Sequence, residues 1–193
     1  MSNQSNRPLI LVTNDDGIEA GGLRFLVETL LPIGDIVVVA PDRPMSGMGH
    51  AVTINQTLRM EKRQFSVEGV REAWQTSGTP VDCVKLAIYE ILGKKPDLLV
   101  SGINHGSNAS INVIYSGTMS AAVEGAVEGI PSIGFSLLNH DPEADFSACG
   151  PSILTLAKEV LDRGLPEGTC LNVNVPNIPL DAIQGMRICR QSA

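Results

Sequence analysis

The feature that most constrains this chain is a regular alternation between short, wholly apolar runs and segments of helical periodicity. Leu9-Ile10-Leu11-Val12, Ile36-Val37-Val38-Val39-Ala40 and Leu98-Leu99-Val100 lack the polar alternation of a half-exposed strand. Runs of this kind, bounded by turn residues, read as strands buried on both faces. Between the first two, Leu23, Leu26, Val27, Leu30 and Leu31 recur near a 3.6-residue period and stop at Pro32 and Gly34, so a helix is predicted over 21–31. Thr79-Pro80-Val81-Asp82 opens another, with a capping hydroxyl, a proline suited to the first helical position and an acid at the positive helix end. That helix should end at Gly93. Further helices are predicted over 117–128 and 147–163, and strands over 132–137 and 170–175, with 186–190 as the start of another.

Strands alternating with helices in this way imply a parallel sheet covered on both faces, and the right-handed crossover rule leaves few arrangements. The expected fold is α/β: a Rossmann-like, doubly wound, mainly parallel sheet. Residues 52–75 alternate loosely and carry many charges, and are expected to form two or three exposed antiparallel strands as a small extension. A chain of 193 residues fits one domain, here 1–193, with a core that needs no disulfide or structural metal. Cys83, Cys149, Cys170 and Cys189 form no CxxC pair, which argues against a zinc or redox motif and for buried free thiols. The net charge of −7 and the 4% aromatic content oppose stable nucleic-acid binding. No apolar run is long enough to span a bilayer, and the N-terminus is polar, so no membrane association and a cytoplasmic location are expected.

In open α/β sheets, ligands bind beyond the carboxyl ends of the strands, where the strand order reverses. The residues that follow the strands are therefore the ones to read. They are Asn14-Asp15-Asp16-Gly17 after the first, Asp42, Arg43, Ser46 and Gly47 after the second, and Asn104-His105 after the third. Adjacent carboxylates repel unless a cation lies between them or one takes up a proton. A hard divalent ion with oxygen ligands resolves that conflict, with Ser46 and Asn104 as neutral oxygen donors beside Asp15 and Asp16. Such a centre polarises phosphoryl oxygens and acidifies water. The same Asp-Asp-Gly also serves as an ordinary polar turn. Ser116-Gly117-Thr118, at a predicted helix N-terminus, is built either to cradle a phosphate or simply to cap the helix.

Neither GxGxxG nor a Walker A motif is present, so dinucleotide and P-loop readings lack their fingerprints. His50 and His105 fall in loops near the expected site and are candidates for proton transfer; His140 reads as a solvated loop residue. Met45, Met48 and Gly49 make the second loop apolar and mobile, as a substrate lid or any surface loop would be. Trp74 reads as packing.

Five segments, in order, resemble the motifs of the stationary-phase survival protein SurE family. They are Leu11-Val12-Thr13-Asn14-Asp15-Asp16-Gly17-Ile18; Ala40-Pro41-Asp42-Arg43 with Ser46-Gly47; Ser77-Gly78-Thr79-Pro80-Val81-Asp82-Cys83-Val84; Pro96-Asp97-Leu98-Leu99-Val100-Ser101-Gly102-Ile103-Asn104-His105-Gly106; and Tyr115-Ser116-Gly117-Thr118. The resemblance implies a Rossmann-like phosphatase acting on nucleoside 5′- and 3′-monophosphates with one divalent metal ion per subunit. Mg²⁺ or Mn²⁺ is expected, with Ca²⁺ as a third option. It implies metal ligation by Asp15, Asp16, Ser46 and Asn104, with Asp15, Asp16 and Asn104 central to catalysis. Asn14, Gly47, Asn112, Ser116, Gly117 and Thr118 would line the phosphate pocket. It also implies a dimer or tetramer, and a C-terminal family segment beyond the position of Ala193.

Two rivals fit parts of the pattern. A non-enzymatic Mg²⁺-binding receiver-like signalling module also places two acids after its first strand, but needs a phosphoacceptor aspartate where Asn104 stands. A sugar-nucleotide-binding transferase would release no free phosphate.

Overall fold

The computed structural model describes residues 7–191; the ends of the expected 1–193 unit, 1–6 and 192–193, lie outside the described residues. Its centre is a seven-stranded sheet in the order β3-β4-β2-β1-β5-β6-β7. The strands are β1 (Leu9–Thr13), β2 (Asp35–Pro41), β3 (Met60–Arg63), β4 (Glu72–Thr76), β5 (Leu98–His105), β6 (Ser132–Leu137) and β7 (Leu171–Val175). Every pairing is parallel except β3 with β4. The charged 52–75 region thus yields two strands, and β4 joins the main sheet beside β2 instead of standing apart.

Alternate residues of β1 point to opposite cores. Ile10 and Val12 meet Leu23, Leu26, Val27 and Leu30 of α1 (Gly21–Leu30) and Ile153, Ala157 and Val160 of α4 (Gly150–Arg163). Leu9 and Leu11 meet Cys83 and Val84 of α2 (Pro80–Leu86) and Ala121 of α3 (Gly117–Val127). Each buried aliphatic side chain in these layers contributes about 1.5–3 kcal/mol. With α1 and α4 on one face and α2 and α3 on the other, the sheet is doubly wound as expected. The order reverses between β1 and β5, so both strands end at the switch point.

Most predicted bounds hold to a residue or two. The helix from Pro80 changes character midway: after Leu86 it continues as a π-helical stretch, Ala87–Leu92, closed by left-handed Gly93. Its start follows the expected chemistry, because the Thr79 hydroxyl accepts from Asp82 N (3.1 Å) and the Asp82 carboxylate accepts from Thr79 N (2.9 Å). The third strand runs further than its apolar stretch, to His105, with a register shift between Ser101 and Asn104. The expected strand at 186–190 is absent: no neighbouring strand pairs with it among the described residues, and Ile188 is 96% exposed. Cys189, in this unpaired stretch, is exposed and Cys170 is only half-buried, so the expectation of buried thiols holds for Cys83 and Cys149 alone. No helix among the described residues is long and apolar enough to cross a membrane.

Helix α1 approaches the switch point very closely at Gly22. A Cβ there would lie 2.3 Å from the carbonyl oxygen of Ile103 in the irregular part of β5. Helix propensity alone favours Gly22→Ala by up to about 1 kcal/mol. The clash is with backbone, which cannot rotate away, so we expect a net destabilisation of about 1–3 kcal/mol, read as a lowered urea midpoint. A variant as stable as the parent would show that α1 can shift freely on β5.

Candidate active site

The carboxyl ends of β1 and β5 carry an unusual concentration of unsatisfied groups. Among the described residues, the buried side-chain polar atoms without a hydrogen-bond partner are Thr13 Oγ1, Asn14 Oδ1, Asp16 Oδ2, Ser101 Oγ and His105 Nδ1. All five lie on β1, on β5 or in the turn directly after β1. Each such group costs about 1–3 kcal/mol, so a cluster of them marks a place shaped for something other than stability.

Asp15 is 3% exposed and held from α3. The Thr118 hydroxyl donates to Asp15 Oδ1 at 2.5 Å, and the backbone amides of Gly117 and Thr118 also act on the carboxylate. Burial nevertheless dominates and raises its pKa above the ordinary 3.8. This contact requires Gly117 to lack a side chain, because a Cβ there would stand 2.6 Å from Asp15 Cβ. Asp16 has no such support. Desolvation first, and the neighbouring Asp15 charge second, push it up to about 7. Asn14 donates through Nδ2 to Gly17 O (2.9 Å), which fixes the turn and leaves Oδ1 without a donor.

The other predicted ligands arrive on two more loops. The amide of Met45 donates to Asp15 O at 2.7 Å, so exposed Ser46 is the next residue after a main-chain tie to the carboxylate pair. Asn104 lies at the end of β5 and donates through Nδ2 to the carbonyls of His105 and Gly106, both at 3.0 Å. Two carbonyl neighbours dictate the amide orientation and leave Oδ1 as the atom for a ligand. Ser116 caps α3 by accepting from Met119 N (3.0 Å), so the capping role read from sequence is real. Thr118 is wholly buried with its hydroxyl committed to Asp15, which gives it a clamping role that its motif did not indicate. Gly47 and Asn112 are exposed, and no hydrogen bond joins either to the carboxylate pair; Asn112 donates to Ser107 O at 3.3 Å.

The histidines fall out differently from one another. His50 pairs with Glu124 (2.8 Å), His105 packs edge-on to Phe146 at 5.2 Å, and exposed His140 lies over Gly106, where a Cβ would meet its ring. Trp74 packs on the sheet as expected, with its indole N–H donating to Glu72 and Lys62 over its ring. The second loop is less free than its glycines and methionines imply, being tied at Met45, Gly49 and His50.

Sequence reasoning missed an amide network that holds the β5–α3 connection. Asn174 Oδ1 accepts from Asn108 N (2.9 Å), Asn172 Nδ2 donates to Asn108 O (2.8 Å), and Asn108 Nδ2 donates to Ser136 Oγ (2.7 Å). The available signal was Asn172 and Asn174 two apart on one face of an otherwise apolar strand. A groove lined by Pro151, Leu180, Ile183 and Met186 shares no residue with the site.

The donor set fits a hard divalent cation. It offers two adjacent carboxylates, an unpartnered buried carboxylate oxygen and unpartnered amide oxygens. No group of three or more His, Cys, Asp or Glu among the described residues is arranged for a metal, so an ion here would need neutral oxygens and water to complete its shell.

The model of the family described as Survival protein SurE matches residues 10–193. A 5′-nucleotidase SurE from Flavobacterium psychrophilum is 59% identical over 97% of this chain and 72% of its own length. One from Christiangramia forsetii is 58% identical over 96% of this chain and 72% of its own. The crystal structure of the Sure protein from Aquifex aeolicus superposes with a TM-score of 0.85 at 43% identity, covering 95% of this chain and 72% of that one.

The raised carboxyl values fix the sign of a pH effect. Between its ordinary 3.8 and about 7, Asp16 is protonated in the fold and ionised in the unfolded chain. The native state then binds more protons, so stability falls as pH rises through this window. The metal-free protein should show a thermal midpoint that declines from about pH 4 to about pH 7 and then levels, with Asp16→Asn flattening the decline. A wild-type midpoint independent of pH across that window would contradict the assignment.

Proposed function

Because this chain belongs to the Survival protein SurE family, we propose that it is a divalent-metal-dependent phosphomonoesterase. It hydrolyses nucleoside monophosphates, as a 5′-nucleotidase with 3′-nucleotides as further substrates, at the β1/β5 switch point. The observation that carries the reading is the Asp15–Asp16 pair: one carboxylate is clamped from α3, the other is desolvated with Oδ2 unpartnered, and the preceding residues Thr13 and Asn14 also carry unsatisfied oxygens.

Asp15, Asp16, Ser46 and Asn104 would hold one Mg²⁺ or Mn²⁺, Ca²⁺ being the third option. When bound, such an ion supplies Lewis-acid polarisation of a phosphoryl oxygen and acidifies water. The chain's own residues do the rest. Thr118 fixes the rotamer of Asp15 through its hydroxyl, so this carboxylate presents the same edge at every turnover. Asp16 keeps Oδ2 free of protein partners and therefore available. Asn104 has its amide N–H groups turned to the backbone carbonyls of His105 and Gly106, which leaves its neutral Oδ1 available as an acceptor. Asn14, Gly47, Asn112, Ser116, Gly117 and Thr118 form the remainder of the proposed phosphate-side wall. The positive end of α3, at Ser116 and Gly117, favours an anion there as it favours Asp15.

The receiver-like alternative finds no support: the relatives matched over nearly the whole chain are named nucleotidases, and the penultimate residue of β5 is Asn104, an amide that cannot serve as the phosphoacceptor aspartate. A homo-oligomer, dimeric or tetrameric, in the cytoplasm completes the reading.

Release of phosphate from nucleoside 5′- and 3′-monophosphates, with Mg²⁺ or Mn²⁺ and with a chelator, tests it. We expect chelation to abolish turnover and re-addition of metal to restore it. Asp15→Asn and Asp16→Asn should each lower kcat/KM by at least about 100-fold, more than the roughly 10- to 100-fold typical of residues that only orient a ligand. Turnover unaffected by chelation would overturn the metal role, and full activity in both folded variants would overturn the residue assignment.

A further inference from the structure

The loop that carries Ser46 is pinned on both sides. On its entry side Met45 N donates to Asp15 O (2.7 Å). On its exit side Gly49 N donates to Tyr115 O (3.2 Å), and His50 Nε2 bonds Glu124 Oε2 at 2.8 Å. Ser46, Gly47 and Met48, between these ties, are exposed and make no hydrogen bond among the described residues. Glu124 is 4% exposed, an uncommon setting for a carboxylate in mid-helix. It lies on α3 two helical turns beyond Gly117, hence on the same face as the residue that abuts Asp15. Lys85 Nζ, from α2, neutralises its other oxygen at 2.6 Å. Lys85 also approaches Glu128 at 3.4 Å, and the Tyr89 hydroxyl donates to Glu128 at 2.7 Å. That part of the cluster binds α2 and the following π-helical stretch to α3. Among the described residues, only His50 extends it to the Ser46 loop.

We propose that His50 is a positioning residue, whose bond to buried Glu124 clamps the Ser46 loop to α3 and so fixes Ser46 relative to the Asp15–Asp16 pair. The inference rests on the metal-site reading above. One rigid helix then serves both halves of the site: its N-terminus holds Asp15 through Thr118, and its middle holds the loop through Glu124. Groups that fix ligands from outside typically change metal affinity or activity by about 10- to 100-fold when removed. His50 is not needed to hold the chain that follows it. The Thr79 hydroxyl donates to Ala51 O (2.7 Å), and Thr53 donates to Asp82 through N (3.1 Å) and Oγ1 (2.6 Å). Lys85 keeps Glu124 paired when the imidazole is absent.

The test compares wild type, His50→Ala and His50→Gln by Mn²⁺ titration calorimetry, nucleoside-monophosphate kinetics and thermal unfolding of the metal-free protein. His50→Ala should weaken Mn²⁺ binding by about tenfold or more and lower kcat more than it raises KM, with the metal-free midpoint nearly unchanged. His50→Gln, which retains an N–H donor, should recover most of both losses. Wild-type Mn²⁺ affinity and kcat in His50→Ala would overturn the proposal. So would a loss that glutamine does not rescue, or one matched by a fall in the metal-free midpoint, since either marks bulk structure and not positioning. Absence of Mn²⁺ binding by the wild type would instead remove the metal-site reading itself, and this inference with it.

Discussion

The hydrogen bond from the Thr118 hydroxyl to Asp15 is the contact on which the site depends. It crosses from the N-terminus of α3 to the turn after β1 and fixes a carboxylate that burial has stripped of water. A desolvated anion is stable only where donors and a helix dipole compensate it. Here they do so in part, and the pKa of Asp15 stays raised. The adjacent Asp16 receives nothing comparable and stands near 7. The pair is therefore high in free energy unless a proton or a cation joins it, which is the condition a metal centre requires.

The architecture around that pair follows from keeping it fixed. Gly117 and Gly22 allow two backbones to approach the switch point more closely than any side chain permits, one toward Asp15 and the other toward Ile103. Loops from β2 and β5 are then tied to the same edge, through Met45 to Asp15, and through Asn108 to Asn172 and Asn174 of β7. Main-chain and amide hydrogen bonds do this work, and they hold short irregular segments more sharply than apolar packing does. The scaffold's aliphatic layers are left to supply most of the stability.

Much of the fold was legible because the buried strands carry uninterrupted Val, Ile and Leu, and because Thr79, Pro80 and Asp82 spell a helix start. Reading failed where local pattern and long-range pairing disagreed. Residues 186–190 have strand-like composition, yet a strand exists only with a neighbour, and none pairs with them among the described residues. Conversely, β5 outlasts its apolar run because Asn104 and His105 pair with Ser136 and Leu137 of β6. In the site, the carboxylate pair and its rim position were readable, since residues that end a strand must emerge at the sheet's edge. The clamp by Thr118, the Asn172–Asn174 support and the His50–Glu124 bond were not, since each joins residues far apart in the chain.

The sequence by itself determined the order of strands and helices, the turn that bears Asp15 and Asp16, and the family motifs that follow it. These are local properties, set by side-chain period, capping chemistry and adjacency along the chain. Only the tertiary structure decided which carboxylate is clamped and which is left unpartnered, and which helix holds both the acid and the loop beside it. Desolvation and hydrogen-bond partnership are properties of the surroundings, and those surroundings exist only once distant segments have packed together.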